Sequence, residues 1–167
     1  MKPIILTLIG NDKPGLIESL AQKVYSIEGN WLSSNFSHMA GQFAGFVELN
    51  IPADKHQGFV EYLNSHPDLT IHSVSTESAD ESSDNVAQIE IIGNDKPGIV
   101  QELTSVLHGF NINIVKFTSG CESAPNWGSL LFKAQATVTI PEGFDTDQLT
   151  GALEGVANDL VVDVTIK

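Results

Sequence analysis

The sequence predicts an α+β protein built from two βαββαβ units, each an antiparallel sheet covered on one face by two helices. Three observations predict it: an internal repeat, the same order of strand-like and helix-like apolar spacing in each copy, and an acidic apolar-poor stretch between the copies. The repeat is Ile9-Gly10-Asn11-Asp12-Lys13-Pro14-Gly15, which recurs without change as Ile92-Gly93-Asn94-Asp95-Lys96-Pro97-Gly98, an offset of 83. Past it, Leu16-Ile17 aligns with Ile99-Val100, Leu20 with Leu103 and Asn30 with Asn113. Ile51-Pro52 matches Ile140-Pro141 at an offset of 89, so the second copy holds six extra residues. They fall around 119–128, where Gly, Ser, Pro and Asn cluster.

Each element follows from local pattern. Residues 3–9 form a short apolar run that reads as a strand. Residues 16–27 carry Leu16, Ile17, Leu20, Ala21, Val24 and Ile27 at helical spacing, one stripe of a 3.6-residue period. Residues 31–38 and 43–51 read as two strands joined by a hairpin turn at Ala40-Gly41. Residues 54–64 form a second helix with Phe59, Val60 and Leu63 inward, and 69–74 close the unit as a fourth strand. The second copy repeats the order over 86–92, 99–110, 112–118, 130–140, 147–156 and 161–166. This is the ferredoxin-like plan. Trp31 opens a strand and is expected in the core. Between the copies, residues 77–85 hold four acids and no large apolar residue, too little to offset the entropy of ordering. The expected domains are therefore 1–76 and 86–167, joined by an acidic linker.

Composition excludes several functions. The chain has 167 residues, 21 acids against 8 basic residues and a formal net charge of −13. All eight basic residues are lysine, so the arginine fork that reads guanine and grips phosphate is missing. A direct nucleic-acid binder needs a basic patch to displace counterions, and none is visible. No apolar stretch is long enough to span a bilayer and no secretory signal is recognisable, so the expected location is the cytoplasm. The single cysteine, Cys121, rules out an intrachain disulfide.

Catalytic patterns are equally sparse. The five histidines are scattered without metal-ligand spacing, and neither serine pair, Ser33-Ser34 or Ser82-Ser83, sits in a nucleophile elbow. Cys121 has no neighbouring Lys or His in sequence to lower its pKa, and Asp12 and Asp95 lack a partner acid or base in their motifs. The expectation is no enzyme, no metal and no cofactor. Trp127, beside Pro125 and Asn126 in the insertion, is either a partner contact or packed against the adjoining strands.

The repeated loop is the informative motif. Structurally, Gly10 ends a strand, Asn11 or Asp12 can cap free N–H groups, Pro14 suits a first helical turn, and Gly15 allows close approach of a backbone or ligand. The same atoms suit a ligand. Bare amides at a helix N-terminus favour a carboxylate, while Asn11 and Asp12 offer acceptors for an ammonium group. A free amino acid carries both charges, and the logic repeats at Asn94 and Asp95.

On these residues, the βαββαβ order with an Asp-Lys-Pro-Gly turn after the first strand, the chain resembles the ACT domain, a regulatory amino-acid-binding module. The resemblance covers nearly all of both copies outside the linker and 119–128. A tandem pair with Gly-Asn-Asp-Lys-Pro-Gly in each copy is similar to the glycine cleavage system transcriptional repressor family. That resemblance implies glycine as ligand and repression of transcription through a partner activator protein, without direct contact to nucleic acid or membrane. It also implies a site formed by Asn11, Asp12, Pro14 and Gly15, with Asn94, Asp95, Pro97 and Gly98 in the second copy. In ACT domains the ligand generally sits at an interface between modules, which brings in Asn30 and Asn113 and allows a homo-oligomer. Asn30 and Asn113 have an alternative reading as turn residues that tolerate unusual dihedrals. Two rival functions stay open: a structural interaction module with vestigial ligand loops, and a regulator of a metabolic enzyme. Formyltetrahydrofolate deformylase carries such a module ahead of a catalytic domain for which this chain has no room.

Overall fold

The computed structural model describes residues 1–77, 85–124 and 130–167. Its chain divides into two compact units, Met1–Asp80 and Glu81–Lys167. The division falls inside the expected linker, of which 78–84 lie outside the described residues. Unit one runs β1 (Lys2–Asn11), α1 (Leu16–Ser26), β2 (Asn30–Met39), β3 (Gln42–Ile51), α2 (His56–Asn64) and β4 (Leu69–Ser75). Unit two repeats it as β5 (Asn85–Asn94), α3 (Ile99–Gly109), β6 (Asn113–Ser123), β7 (Leu130–Ile140), α4 (Thr146–Glu154) and β8 (Val161–Ile166). The sheets have strand orders β2-β3-β1-β4 and β6-β7-β5-β8, with every pair antiparallel. Both units are therefore βαββαβ, as the repeat predicts.

Period-two alternation decides which sheet face is covered. In β1, Ile4, Leu6 and Leu8 are buried while Ile5, Thr7 and Ile9 point away. Opposite them, Val47, Leu49 and Ile51 of β3 face the same interior, which Leu16, Leu20 and Val24 of α1 and Phe59 and Leu63 of α2 complete. Trp31 is half-buried at its edge, its indole N–H donating to Ser34 Oγ at 3.1 Å. Unit two builds the equivalent core from Ala87, Ile89, Ile91, Leu103, Leu107, Val138, Leu149 and Leu153, among others.

Several boundaries differ from the sequence reading. β1 extends through Gly10 and Asn11 because these pair with Phe43 and Gln42. Ala21 is exposed although it lies in the apolar stripe. α2 starts at His56 rather than 54, since the Lys55 N–H bonds back to the Pro52 carbonyl in a turn. α4 starts at Thr146 behind Asp145, whose side chain accepts from the Asp147 N–H at 3.0 Å. The second copy's extra residues do not begin as a loop: 119–123 continue β6, with Ser123 opposite Leu130. Pro125, Asn126 and Trp127 lie outside the described residues.

Candidate functional site

The repeated loop leads from the end of β1 into α1, and its two glycines have different jobs. A Cβ on Gly10 would stand 2.4 Å from the Asp68 carbonyl oxygen and 2.9 Å from a Leu69 methyl. Gly93 is held likewise, 2.5 Å from a Leu160 methyl. The close approach predicted for Gly15 thus belongs to Gly10. Gly15 is the N-cap of α1 at φ 86°, with nothing within 4 Å of where a Cβ would stand, and Gly98 opens α3 at φ 80°. Glycine is required there for the left-handed backbone.

That conformation sets up the helix terminus. Neither α1 nor α3 has a side-chain cap, so the capping expected of Asn11 or Asp12 is not made, and Pro14 lies before the N-cap instead of in the first turn. The side chain of Asn11 is used elsewhere: its Oδ1 accepts from Gln42 Nε2 at 2.8 Å. Asn11 lines a pocket of about 360 Å³ with Gln42, His66 and Asp68, distinct from the space around Asp12 and Gly15.

Asp12 and Gly15 do come together. With Lys13, Leu16, Ile17, Glu18 and Phe43 they line an open pocket of about 210 Å³ at the start of α1. Asp12 and Glu18 bring two carboxylates to this pocket, a chemistry suited to an ammonium group, and the first-turn amides and helix dipole supply the opposite pole. Lys13 forms an ion pair with Asp68, 2.7 Å from Nζ to Oδ1. His38 Nε2 lies 4.0 Å from Asp12 Oδ2. His38, Phe43 and Lys13 were not singled out from the sequence, though the 83-residue offset sets His38 against Cys121.

Unit two arranges the same motif differently. The Asn94 N–H donates to Asp159 Oδ2 at 2.8 Å and the Asp95 N–H to the Leu130 carbonyl at 2.9 Å. The Ile99 N–H at the helix start is taken by the Lys96 carbonyl at 3.3 Å. Lys96 Nζ spans Glu102 at 2.7 Å and the Val156 carbonyl at 2.9 Å. Phe132, the counterpart of Phe43, is buried. Cys121 stands beside Asp95, and desolvation, followed by the Asp95 charge and its hydrogen bond, raises the thiol pKa above its ordinary value. Raising it lowers the thiolate fraction of this exposed cysteine at neutral pH.

Asn30 and Asn113 are not brought to the loop of their own unit. Asn30 pairs with Asn50, which pairs with Pro3, whereas Asn11 pairs at the other end of the same strand. Asn113 pairs with Thr139 in the same way. The unusual dihedrals before these strands belong to Glu28 (φ 60°) and Asn111 (φ 58°), which are equivalent in the repeat. Among the described residues no three His, Cys, Asp or Glu side chains gather to hold a metal, and no helix is long and apolar enough to cross a membrane.

Comparison with known proteins places this architecture. The family model of the ACT domain matches residues 85–118, the first strand, the loop and α3 of unit two with the start of β6. The chain is built as a tandem of ACT-like units. An unknown protein from Galdieria sulphuraria superposes with a TM-score of 0.81 at 22% identity, over 99% of this chain and 98% of that one. A protein named as a candidate glycine cleavage system transcriptional repressor superposes with a TM-score of 0.63 at 14% identity, over 99% and 97%. At these identities the likeness is one of fold. No curated protein matches the chain in sequence.

Proposed function

We propose that this tandem ACT-like chain is an amino-acid-sensing regulator whose ligand docks at the loop between β1 and α1. The observation that carries this is the uncapped α1 N-terminus opening onto a pocket of about 210 Å³ beside Asp12. The ligand carboxylate takes the first-turn amides, and its ammonium faces Asp12. Unit one is the binding half, since in unit two Lys96 uses its own carbonyl and ammonium around the helix start. Asn94, Asp95, Pro97 and Gly98 keep the loop's shape there.

Glycine is the ligand that the resemblance implies, and a partner transcription activator in the cytoplasm is the target. A net charge of −13 supports action through a protein over direct contact with nucleic acid. Binding alters regulation by favouring the loop conformation to which the partner responds. Phe43, Leu16 and Ile17 on the pocket wall favour a second reading, an amino acid with an apolar side chain.

Calorimetric titration of glycine, then of the apolar amino acids, separates these readings. A charge-assisted hydrogen bond contributes about 1.5–3 kcal/mol, so Asp12→Ala weakens binding roughly 10- to 100-fold, and Asp95→Ala leaves it near wild type. If no amino acid binds, or Asp12→Ala binds unchanged, the site is wrong and the interaction-module reading takes its place.

A further inference from the structure

We propose that the open face of the first sheet is an interface at which two copies of this chain pack against each other. The face away from α1 and α2 carries Ile5, Ile9, Phe46 and Val74, exposed by 39, 47, 51 and 47%. Register makes them one strip. Ile5 lies opposite Val74 on one side, and Phe46 lies opposite Thr7, midway between Ile5 and Ile9 on the other. A contiguous apolar patch of this kind on a water-facing sheet marks an interaction surface.

The duplicated fold supplies an internal control. Unit two has the same topology, and at the positions of Ile5, Phe46 and Val74 it carries Gln88, Gln135 and Thr165. Its open face also bears Glu90, Lys116, Lys133 and Asp163, and keeps an exposed apolar pair at one end, where Ile92, the counterpart of Ile9, lies opposite Val161. The βαββαβ plan therefore does not need apolar residues at the places of Ile5, Phe46 and Val74, and their presence in unit one has another cause.

Charge identifies the occupant. The chain carries a net charge of −13, so most of its surface repels a second copy. The open face of sheet one is the exception, since Glu48 is the one carboxylate among the outward residues of its four strands. Two such faces bring only one carboxylate each, Glu48 beside Ile5, so they meet with far less like-charge repulsion than the rest of the surface, and an isologous two-fold contact sets the same strip against itself. Twisted sheets of equal shape stack about 10 Å apart with strands within about 30° of each other. Four strands at about 4.8 Å spacing and about 26 Å long give roughly 500 Å² per face. Two copies then bury roughly 1,000 Å² in total, the lower bound for a specific interface.

Sedimentation velocity on the full chain tests this. Wild type is expected to be a dimer at micromolar concentration. Ile5→Gln/Phe46→Gln, which installs the residues unit two tolerates at the same places, is expected to be a folded monomer by circular dichroism. Should that variant fail to fold, Thr7→Cys in a Cys121→Ser background keeps the test open. Thr7 sits in the middle of the strip, and a short bis-maleimide is expected to link two copies there. A monomeric wild type, a double variant that still dimerises, or no Thr7→Cys cross-link each overturns the proposal. A monomer that captures a different protein through this face overturns it equally.

Discussion

Replacing Gly10 and Gly15 separately by alanine distinguishes two reasons for a glycine within six residues of chain. At Gly10 the new methyl carbon meets a backbone carbonyl oxygen at 2.4 Å and a Leu69 methyl at 2.9 Å. The carbonyl belongs to the turn before β4 and cannot yield without breaking the Gly10–Leu69 pairing. Overpacking of this kind costs about 1–3 kcal/mol, and contact with backbone puts Gly10→Ala at the upper end. At Gly15 the methyl enters open space, so the cost is only that of an L-residue at φ 86°, about 1 kcal/mol. One kcal/mol shifts the midpoint of a 60–100-residue domain by about 4–8 °C. Calorimetric melting should therefore show the unit-one transition falling by about 12–24 °C in Gly10→Ala and about 4–8 °C in Gly15→Ala. The unit-two transition stays in place. A Gly10→Ala midpoint no lower than that of Gly15→Ala would refute the close-approach argument.

Phe59 is 1% exposed and fills the space between α2 and the first sheet. Phe59→Ala should cost about 3–5 kcal/mol, a large share of the stability of so small a unit. Hydrogen exchange should then show β1 and β3 amides losing protection while β5 and β7 keep theirs. The raised pKa of Cys121 lowers its thiolate fraction at neutral pH, so alkylation should run slower than for a free thiol and accelerate as pH rises through the raised value. Asp95→Asn removes the charge that helps raise it, so alkylation of that variant at fixed pH should be faster; an unchanged rate contradicts the pairing.

The fold was legible because duplication doubled every signal. Leu16, Leu20 and Val24 face the core as their spacing predicts, and so do their counterparts Ile99, Leu103 and Leu107. What local pattern missed depends on distant backbone. The sheet bulges at Leu32 and Val115, which lie 83 apart and sit exposed between shifted registers. Nothing in the neighbouring side chains announces either. Gly10 reads as a strand end until Asp68 arrives beside it, and Gly15 reads as a close-approach residue until its positive φ is seen. The loop was legible as a candidate site, but the residues gathered around it were not. Sequence proximity grouped Asn11 with Asp12, whereas β-pairing turns Asn11 toward Gln42 and brings Phe43 and His38 near Asp12. Asn30 and Asn113 matched in the alignment because both open a strand, which says nothing about which end of the sheet they occupy.

The central claim is that bare amides at the start of α1 receive the carboxylate of an amino acid beside Asp12. Amide chemical shifts recorded while glycine, and then the apolar amino acids, are added to isotope-labelled protein test it most directly. The account predicts saturable shifts at Gly15, Leu16, Ile17 and Glu18, much smaller ones at Gly98, Ile99 and Val100, and none at Gly15–Glu18 in Asp12→Ala at the same concentrations. Unmoved amides at the α1 terminus with every amino acid added would contradict it.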